Sequence, residues 1–384
     1  MADKMRLGID ASNLRSGGGV THLVELLRAE QPKKHGFDKV IVWAGKSTLN
    51  RIDNQPWLYK INDPMLEKSL LFRLYWQRFK LTKEAKSLGC DVLFVPGGSY
   101  IGKFRPFVTM CRNMLPFMWT ETRRFGISKF VLKLLLLRQT QLATFNRANG
   151  LVFLTQHAFE SVERLMKTTN TKITIIHHGV NERFRQEPRK QKSISCYQNK
   201  KPYRILYVSP IAPYKHQCNV IEAIKQLQKA GLPGVLELVG SVYHKRRRFY
   251  SKLDKIDPKK AFVHYQGTVS FDRIHEIYHQ ADMYVFASSC ENMPNILLEA
   301  MAAGLPIACS NRSPMTDILG DAGLYFDPES PKEITKVIHI LIEDPELREK
   351  KAWMAYERAK LYSWKRCAHE TFDFLAKVVQ EFSG

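Results

Sequence analysis

Apolar positions along the chain fall into two alternating rhythms. Short runs rich in Val, Ile and Phe are followed by longer stretches of helical period, which is the pattern of βαβ units and a parallel sheet. In the first half the predicted strands are Arg6–Asp10, Val40–Trp43, Asp91–Val95, Phe107–Cys111, Gly150–Leu154 and Lys172–Ile176. The pattern restarts with Arg204–Val208, Val235–Val239, Phe262–Tyr265, Met283–Ala287, Pro306–Cys309 and Leu324–Phe326. Between the two series lies RFRQEPRKQKSISCYQNKK (Arg183–Lys201), polar, basic and poor in apolar residues, which reads as an interdomain linker. From Pro345 to Phe382 the composition is helical, with Trp353, Leu361, Trp364, Phe372, Phe374 and Val378 available for packing. The predicted architecture is two Rossmann-like, doubly wound α/β domains facing each other across a cleft, because ligands of such sheets bind beyond the carboxyl ends of the strands. The expected boundaries are 1–190, 191–362 and a terminal helix at 363–384 that packs back toward the N-terminal domain.

Composition narrows the class. The 384 residues are long enough for two cores, and 44% hydrophobic with 11% aromatic content excludes a disordered chain. Lys and Arg number 59 against 37 Asp and Glu, a formal charge of +22. The excess is lopsided: residues 1–200 carry +19 of it, so that half meets, or tolerates, something anionic. Seven scattered cysteines without a CxxC pair argue against a disulfide framework or a zinc cage and for a reducing compartment. Neither a signal peptide nor a spanning helix is evident, so a cytoplasmic location is expected.

The most informative segment is FASSCENMPNILLEAMAAG (Phe286–Gly304), which reads as a strand end, a polar turn, a helix opening near Pro294 and a stop at Gly304. Glu291 lies just ahead of that helix, and Glu299 lies within it. The N–H groups of Met293, Asn295 and Ile296, at the start of this helix, suit an anion such as phosphate, which leaves the carboxylates to hold hydroxyls. Gly17, Gly18 and Gly19 sit between a predicted strand and helix, where absent side chains let backbone approach a ligand. They lack GxGxxG spacing and a following acidic residue, which argues against NAD.

The spacing of Glu291 and Glu299, with AMAAG and Leu305–Pro306 after them, resembles the donor-site signature of the retaining glycosyltransferases of family 4 (glycosyltransferase group 1), which have the GT-B fold. HHGVNERF (His177–Phe184), LYVSPIAPYKHQCNVIEAI, VHYQGTVSFDRIHEIYHQADMYVFAS, GDAGLYFDPES and GIDASNLRSGGGVTHLVELL resemble further segments of that family in the same order. The resemblance implies that Glu299 accepts hydrogen bonds from the ribose hydroxyls of a nucleotide-sugar and that Glu291 binds hydroxyls of the transferred sugar. It implies a donor pocket that includes Gly18, Gly19, Asn292, Met293, Pro294, Asn295 and Ile296. Lys215 matches the lysine that neutralises the diphosphate leaving group, where negative charge grows as the glycosidic bond breaks. The reaction implied is retaining transfer from a UDP- or GDP-sugar to a glycan or lipid-linked glycan, as in polysaccharide or lipopolysaccharide assembly. The donor's own phosphate oxygen takes the acceptor's proton, and neither cofactor nor metal is required. No DxD motif follows a predicted strand.

Two positions depart from the family. Pro210 stands where a second phosphate-binding arginine is common, which leaves Lys245, the Arg246–Arg248 run or the N-terminal domain to supply the cation. Arg112 and Asn113 stand where His-Asp is common. Arg112 offers fork-shaped donors to a sugar or phosphate but no base near neutral pH. His22, His177 and His178 read as loop or helix-face histidines.

Residues 101–150 hold nine basic residues and one acidic residue, Glu121, interleaved with Phe104, Phe107, Phe117, Met118, Trp119, Phe125, Phe130 and Leu134–Leu137. Ser69–Lys86 repeats the mixture. Such surfaces suit an anionic bilayer, so a peripheral enzyme on the inner membrane face is expected. The competing readings are a transferase with a soluble acceptor, a GT-B-like protein without catalysis, and a nucleic-acid-binding protein, for which +22 is the usual sign. Against the last, the chain shows no zinc-finger spacing or RNP-like motif, and no nucleic-acid partner is expected.

Overall fold

The computed structural model describes residues 4–167, 171–198, 200–242 and 246–383. The chain forms two compact units. The first comprises Met1–Trp119, Ile127–Gly179 and Ser363–Gly384, and the second comprises Thr120–Gly126 and Val180–Tyr362.

The first unit is built on β1 (Met5–Asp10), β2 (Phe37–Trp43), β3 (Leu58–Ile61), β4 (Val92–Val95), β5 (Phe107–Met110), β6 (Gly150–Phe153) and β7 (Lys172–Ile175). All pair in parallel, in the order β3-β2-β1-β4-β5-β6-β7. The second unit is built on β8 (Tyr203–Val208), β9 (Gly234–Val239), β10 (Val263–Gly267), β11 (Met283–Phe286), β12 (Ile307–Ser310) and β13 (Leu324–Phe326), again parallel, in the order β10-β9-β8-β11-β12-β13. Each strand predicted from apolar runs is present. The structure adds β3, an edge strand whose Tyr59 is exposed and whose sequence LYKI offers no continuous apolar run.

Both sheets are doubly wound. The strand order reverses between β1 and β4 in one and between β8 and β11 in the other, and a crevice opens at the carboxyl ends of such a pair. The central strands β4, β5, β6, β11 and β12 are buried throughout, as strands covered on both faces must be.

The helix Trp364–Ser383 belongs to the first unit, where it packs along the helix Gly18–Ala29 and the turn Pro32–His35. Its Phe372 and Leu375 are fully buried, each contributing about 1.5–3 kcal/mol by leaving water. Two glycines make room for it. A Cβ on Gly150 would lie 2.9 Å from the Phe374 ring, and one on Gly179 would lie 2.1 Å from the Trp364 nitrogen.

Two sequence expectations are corrected. The chain passes from the first unit to the second at Gly179–Val180 rather than at residue 190, and Thr120–Gly126 groups with the second unit. Arg183–Lys201 is therefore not a free linker but is bound to the second unit. Phe184 is buried, Arg183 stacks 3.7 Å from the Phe271 ring centroid, and Gln186 N–H donates to the Ala302 carbonyl. Arg348, fully buried, donates to the Leu341 carbonyl at 2.7 Å, to those of Ile342 and Lys192, and to Gln191. Its polar side chains are largely exposed, while Phe184, Gln186, Gln191 and Lys192 tie the segment to the second unit.

Candidate functional site

The lysine loop leaves β8 at its carboxyl end. Gly240 has φ +142, and a Cβ there would lie 2.0 Å from the Ser209 carbonyl oxygen, so only glycine lets the ends of β8 and β9 approach this closely. The loop closes in the turn Pro213–Lys215. His216 then takes φ +49 before the helix Gln217–Lys229, a left-handed conformation that costs a non-glycine residue about 1 kcal/mol. Its Nε2 lies 2.9 Å from Ser289 Oγ, which helps hold it there.

Lys215 is buried. Its carbonyl accepts the Tyr207 hydroxyl at 2.5 Å, and its ammonium lies 5.3 Å and 5.4 Å from the ring centroids of Phe286 and Tyr214. The ammonium is paired with the carboxylate of Glu291, which comes from the loop after β11. The two strands of the switch point thus supply opposite charges that meet in a nearly dry setting. Ser289 N–H to the Tyr214 carbonyl, 2.8 Å, ties the two loops together.

Beyond Glu291, Asn292 and Met293 are buried, Pro294 is the N-cap, and the helix runs Asn295–Ala302 with no carboxylate in its first turn. It ends as the sequence predicts. Gly304 is left-handed at φ +64, its N–H bonds to Met301, and Leu305 N–H reaches Ala300, which is a Schellman closure. Glu299 is buried in this helix and accepts the Tyr278 hydroxyl at 2.9 Å. Burial pushes its carboxyl up to about 7, against the opposing pull of Tyr278 and Arg183. A carboxyl held this way is one proton from being a strong hydroxyl acceptor near neutral pH.

The other predicted residues meet in the first unit. Gly17 (φ +68) is the N-cap of the helix Gly18–Ala29, so Gly18 and Gly19 are its first residues rather than loop. The Arg112 guanidinium, arriving from the end of β5, donates to the Gly19 carbonyl at 3.2 Å, and a Cβ on Gly19 would lie 3.3 Å from it. Burial draws Arg112 down to about 10, which leaves it a cation at neutral pH. His22, His178 and Trp364 form a packed cluster with centroid separations of 4.9–5.8 Å. Burial first, then His178 and Arg112, hold His22 well below the usual imidazole range. His177 Nδ1 lies 2.7 Å from the Leu154 carbonyl.

At Pro210 the carbonyl accepts from Gln217 at 2.9 Å. Of the cations offered in place of the missing arginine, Lys245 lies outside the described residues, and Arg247 is exposed. In the segment Thr120–Gly126, Glu121 is buried and accepts Ser289 Oγ–H at 2.7 Å, while Arg124 bridges Glu121 and Glu329. A chain Glu121–Ser289–His216 therefore buttresses both loops. Sequence reasoning noted Glu121 only as a lone acid among nine bases, and that isolation was the available signal. Tyr278 was missed outright. The basic and aromatic region also splits: Phe104, Phe107, Phe125 and Leu134 are core, whereas Trp119, Leu132, Leu135 and Leu136 are exposed.

Residues 189–358 match the family described as glycosyl transferases group 1. The O-antigen chain mannosyltransferase B of Escherichia coli is 30% identical over 115 residues, which span 30% of this chain and 30% of that protein. The sucrose-phosphate synthase structure from Thermosynechococcus elongatus superposes with a TM-score of 0.76 at 16% identity, covering 98% of this chain and 100% of that one. The Anabaena HepE structure in complex with UDP-glucose superposes with a TM-score of 0.67 at 16% identity, covering 99% of both chains. These structural likenesses establish a common two-domain GT-B architecture.

Proposed function

We propose, from the match of residues 189–358 to the glycosyl transferases group 1 family, that the chain is a retaining, metal-independent glycosyltransferase. It moves a sugar from a UDP- or GDP-linked donor to a glycan or lipid-linked glycan, in polysaccharide or lipopolysaccharide assembly on the inner membrane face. The observation that carries this reading is the buried Lys215–Glu291 pair at the switch point of the second sheet. Without a donor, each charge satisfies the other. When the donor arrives, its diphosphate takes the ammonium and its sugar hydroxyls take the carboxylate. Both groups are then already desolvated where the leaving group's charge develops.

Glu299 accepts the ribose hydroxyls, and the backbone N–H groups of Met293, Asn295 and Ile296 face the sugar or diphosphate. Gly18, Gly19 and Arg112 keep the donor-binding roles that the family resemblance implies, with Arg112 as a fixed cation and not a proton carrier. The donor phosphate oxygen accepts the acceptor's proton, so no carboxylate nucleophile is formed. The O-antigen chain on which the E. coli relative acts and the UDP-glucose bound by HepE support the acceptor and donor classes, respectively.

The test is a thermal-shift panel of UDP, GDP and their sugars, followed by assay of donor hydrolysis and of product anomeric configuration. One nucleotide should raise Tm, Glu299→Ala should abolish the shift, the product should keep the donor's anomeric configuration, and chelator should leave initial rates unchanged. An absence of any nucleotide response together with tight, salt-sensitive RNA or DNA binding refutes the reading.

A further inference from the structure

At the opposite end of the first sheet from Gly17–Gly19, where β2 begins, a second group of chemically active side chains lies outside everything described above. Glu30 caps the end of the helix Gly18–Ala29 and is buried. The turn Pro32–His35 follows, ended by left-handed Gly36 (φ +86) just before β2. The His35 ring packs 5.8 Å from Phe372 and, edge-on, 4.8 Å from His369, both on the C-terminal helix. One ligand atom each of Glu30, His35 and His369 lies within 4.8 Å of the others. His35 Nε2 is buried without a hydrogen-bond partner, which is costly for an imidazole nitrogen unless something else occupies it.

We propose that Glu30, His35 and His369 form a binding site for a divalent transition-metal ion of the Zn2+ class, which clamps the C-terminal helix to the turn Pro32–His35. Two imidazoles and one carboxylate are a donor set for zinc, cobalt or nickel rather than for magnesium or calcium. A tetrahedral set has ligand atoms roughly 3.3 Å apart. Exposed His369 closes the remaining gap by rotation, and water or Asp373, one helical turn on, supplies the fourth position. The Glu30 Oε1 atom already takes Gln31 N–H at 2.8 Å and the Lys34 ammonium at 2.9 Å. Lys34 is therefore the cation that a metal displaces.

The experiment uses the untagged full chain, stripped with chelator and titrated with Zn2+ by calorimetry against a competing chelator, then with Co2+ by absorption. The expected result is one equivalent of Zn2+, a rise in Tm, and the intense visible bands of four-coordinate Co2+. His369→Ala, at an exposed position, should weaken binding at least tenfold. His35→Gln should do the same, and Lys34→Ala should strengthen it. Equal Zn2+ binding by wild type and His369→Ala, or no binding at all, overturns the site.

Discussion

The Tyr278 hydroxyl donates to the Glu299 carboxylate at 2.9 Å inside a core that otherwise disfavours the charge. Because burial raises this carboxyl to about 7, folding is helped most below its ordinary range, near 4.5, and that contribution is lost as pH climbs to about 7. Under the proposed function nucleotide binding runs the other way, since ribose hydroxyls need the anion as acceptor. The nucleotide affinity of the wild type should therefore be about tenfold greater at pH 8 than at pH 6, by linkage to one carboxyl of pKa near 7. Glu299→Gln should lose this share of the pH dependence while keeping any that comes from phosphate ionisation. Tyr278→Phe should move the midpoint upward. Isothermal titration across pH checks all three.

Lys215 and Glu291 form a pair whose halves are each costly alone. Lys215→Met should destabilise the protein by about 3 kcal/mol, because it strands a carboxylate in a nearly dry site. The double variant Lys215→Met/Glu291→Gln should cost clearly less than the two single losses added. Urea denaturation of the four proteins measures the coupling, and strict additivity would show that the pair is not a unit.

Much of this was legible in the chain because it is written in short-range signals. Strand existence follows from apolar runs, the helix stop from Gly304, and the lysine and glutamate loops from the strands they follow. What escaped is long-range. Tyr278 reaches Glu299 from a neighbouring helix, and Glu121 reaches Ser289 across 168 residues. Arg183–Lys201 looked like a linker because nothing local reveals that Arg348, some 156 residues on, holds its backbone. β3 was invisible because an edge strand needs no continuous apolar run.

Arg348 shows how such a hidden partner governs stability. Its guanidinium is fully enclosed and satisfies three carbonyls and Gln191. Arg348→Ala should destabilise the second unit by about 3 kcal/mol or more, since it opens a cavity and orphans buried acceptors. Arg348→Lys should recover only part, for want of the fork geometry. Limited proteolysis should then cut first within residues 183–192, and an unchanged cleavage pattern would mean that the segment is held by other contacts.

The membrane expectation now rests on particular helical faces. Along the helix Leu70–Phe79, Leu71, Phe72, Tyr75 and Phe79 are all exposed, with Leu71 at 77%, and they follow helical spacing on one side. Lys68 lies over the Phe72 ring at 4.9 Å, and Arg78 over Phe79 at 5.4 Å. The helix Lys129–Phe145 exposes Leu132, Leu135 and Leu136 beside Lys129 and Lys133. Among the described residues no helix is long and apolar enough to cross a bilayer. Exposed apolar side chains rimmed by cations instead suit the interface, where each cation adds about 1 kcal/mol near an anionic surface. The wild type should sediment with phosphatidylglycerol vesicles at low salt and release at high salt. Leu71→Glu/Phe79→Glu and Leu132→Glu/Leu136→Glu should each lower the partition coefficient about tenfold with little change in Tm, because each of these side chains is more than half exposed. If both variants sediment like the wild type, these two faces are not a membrane-binding surface.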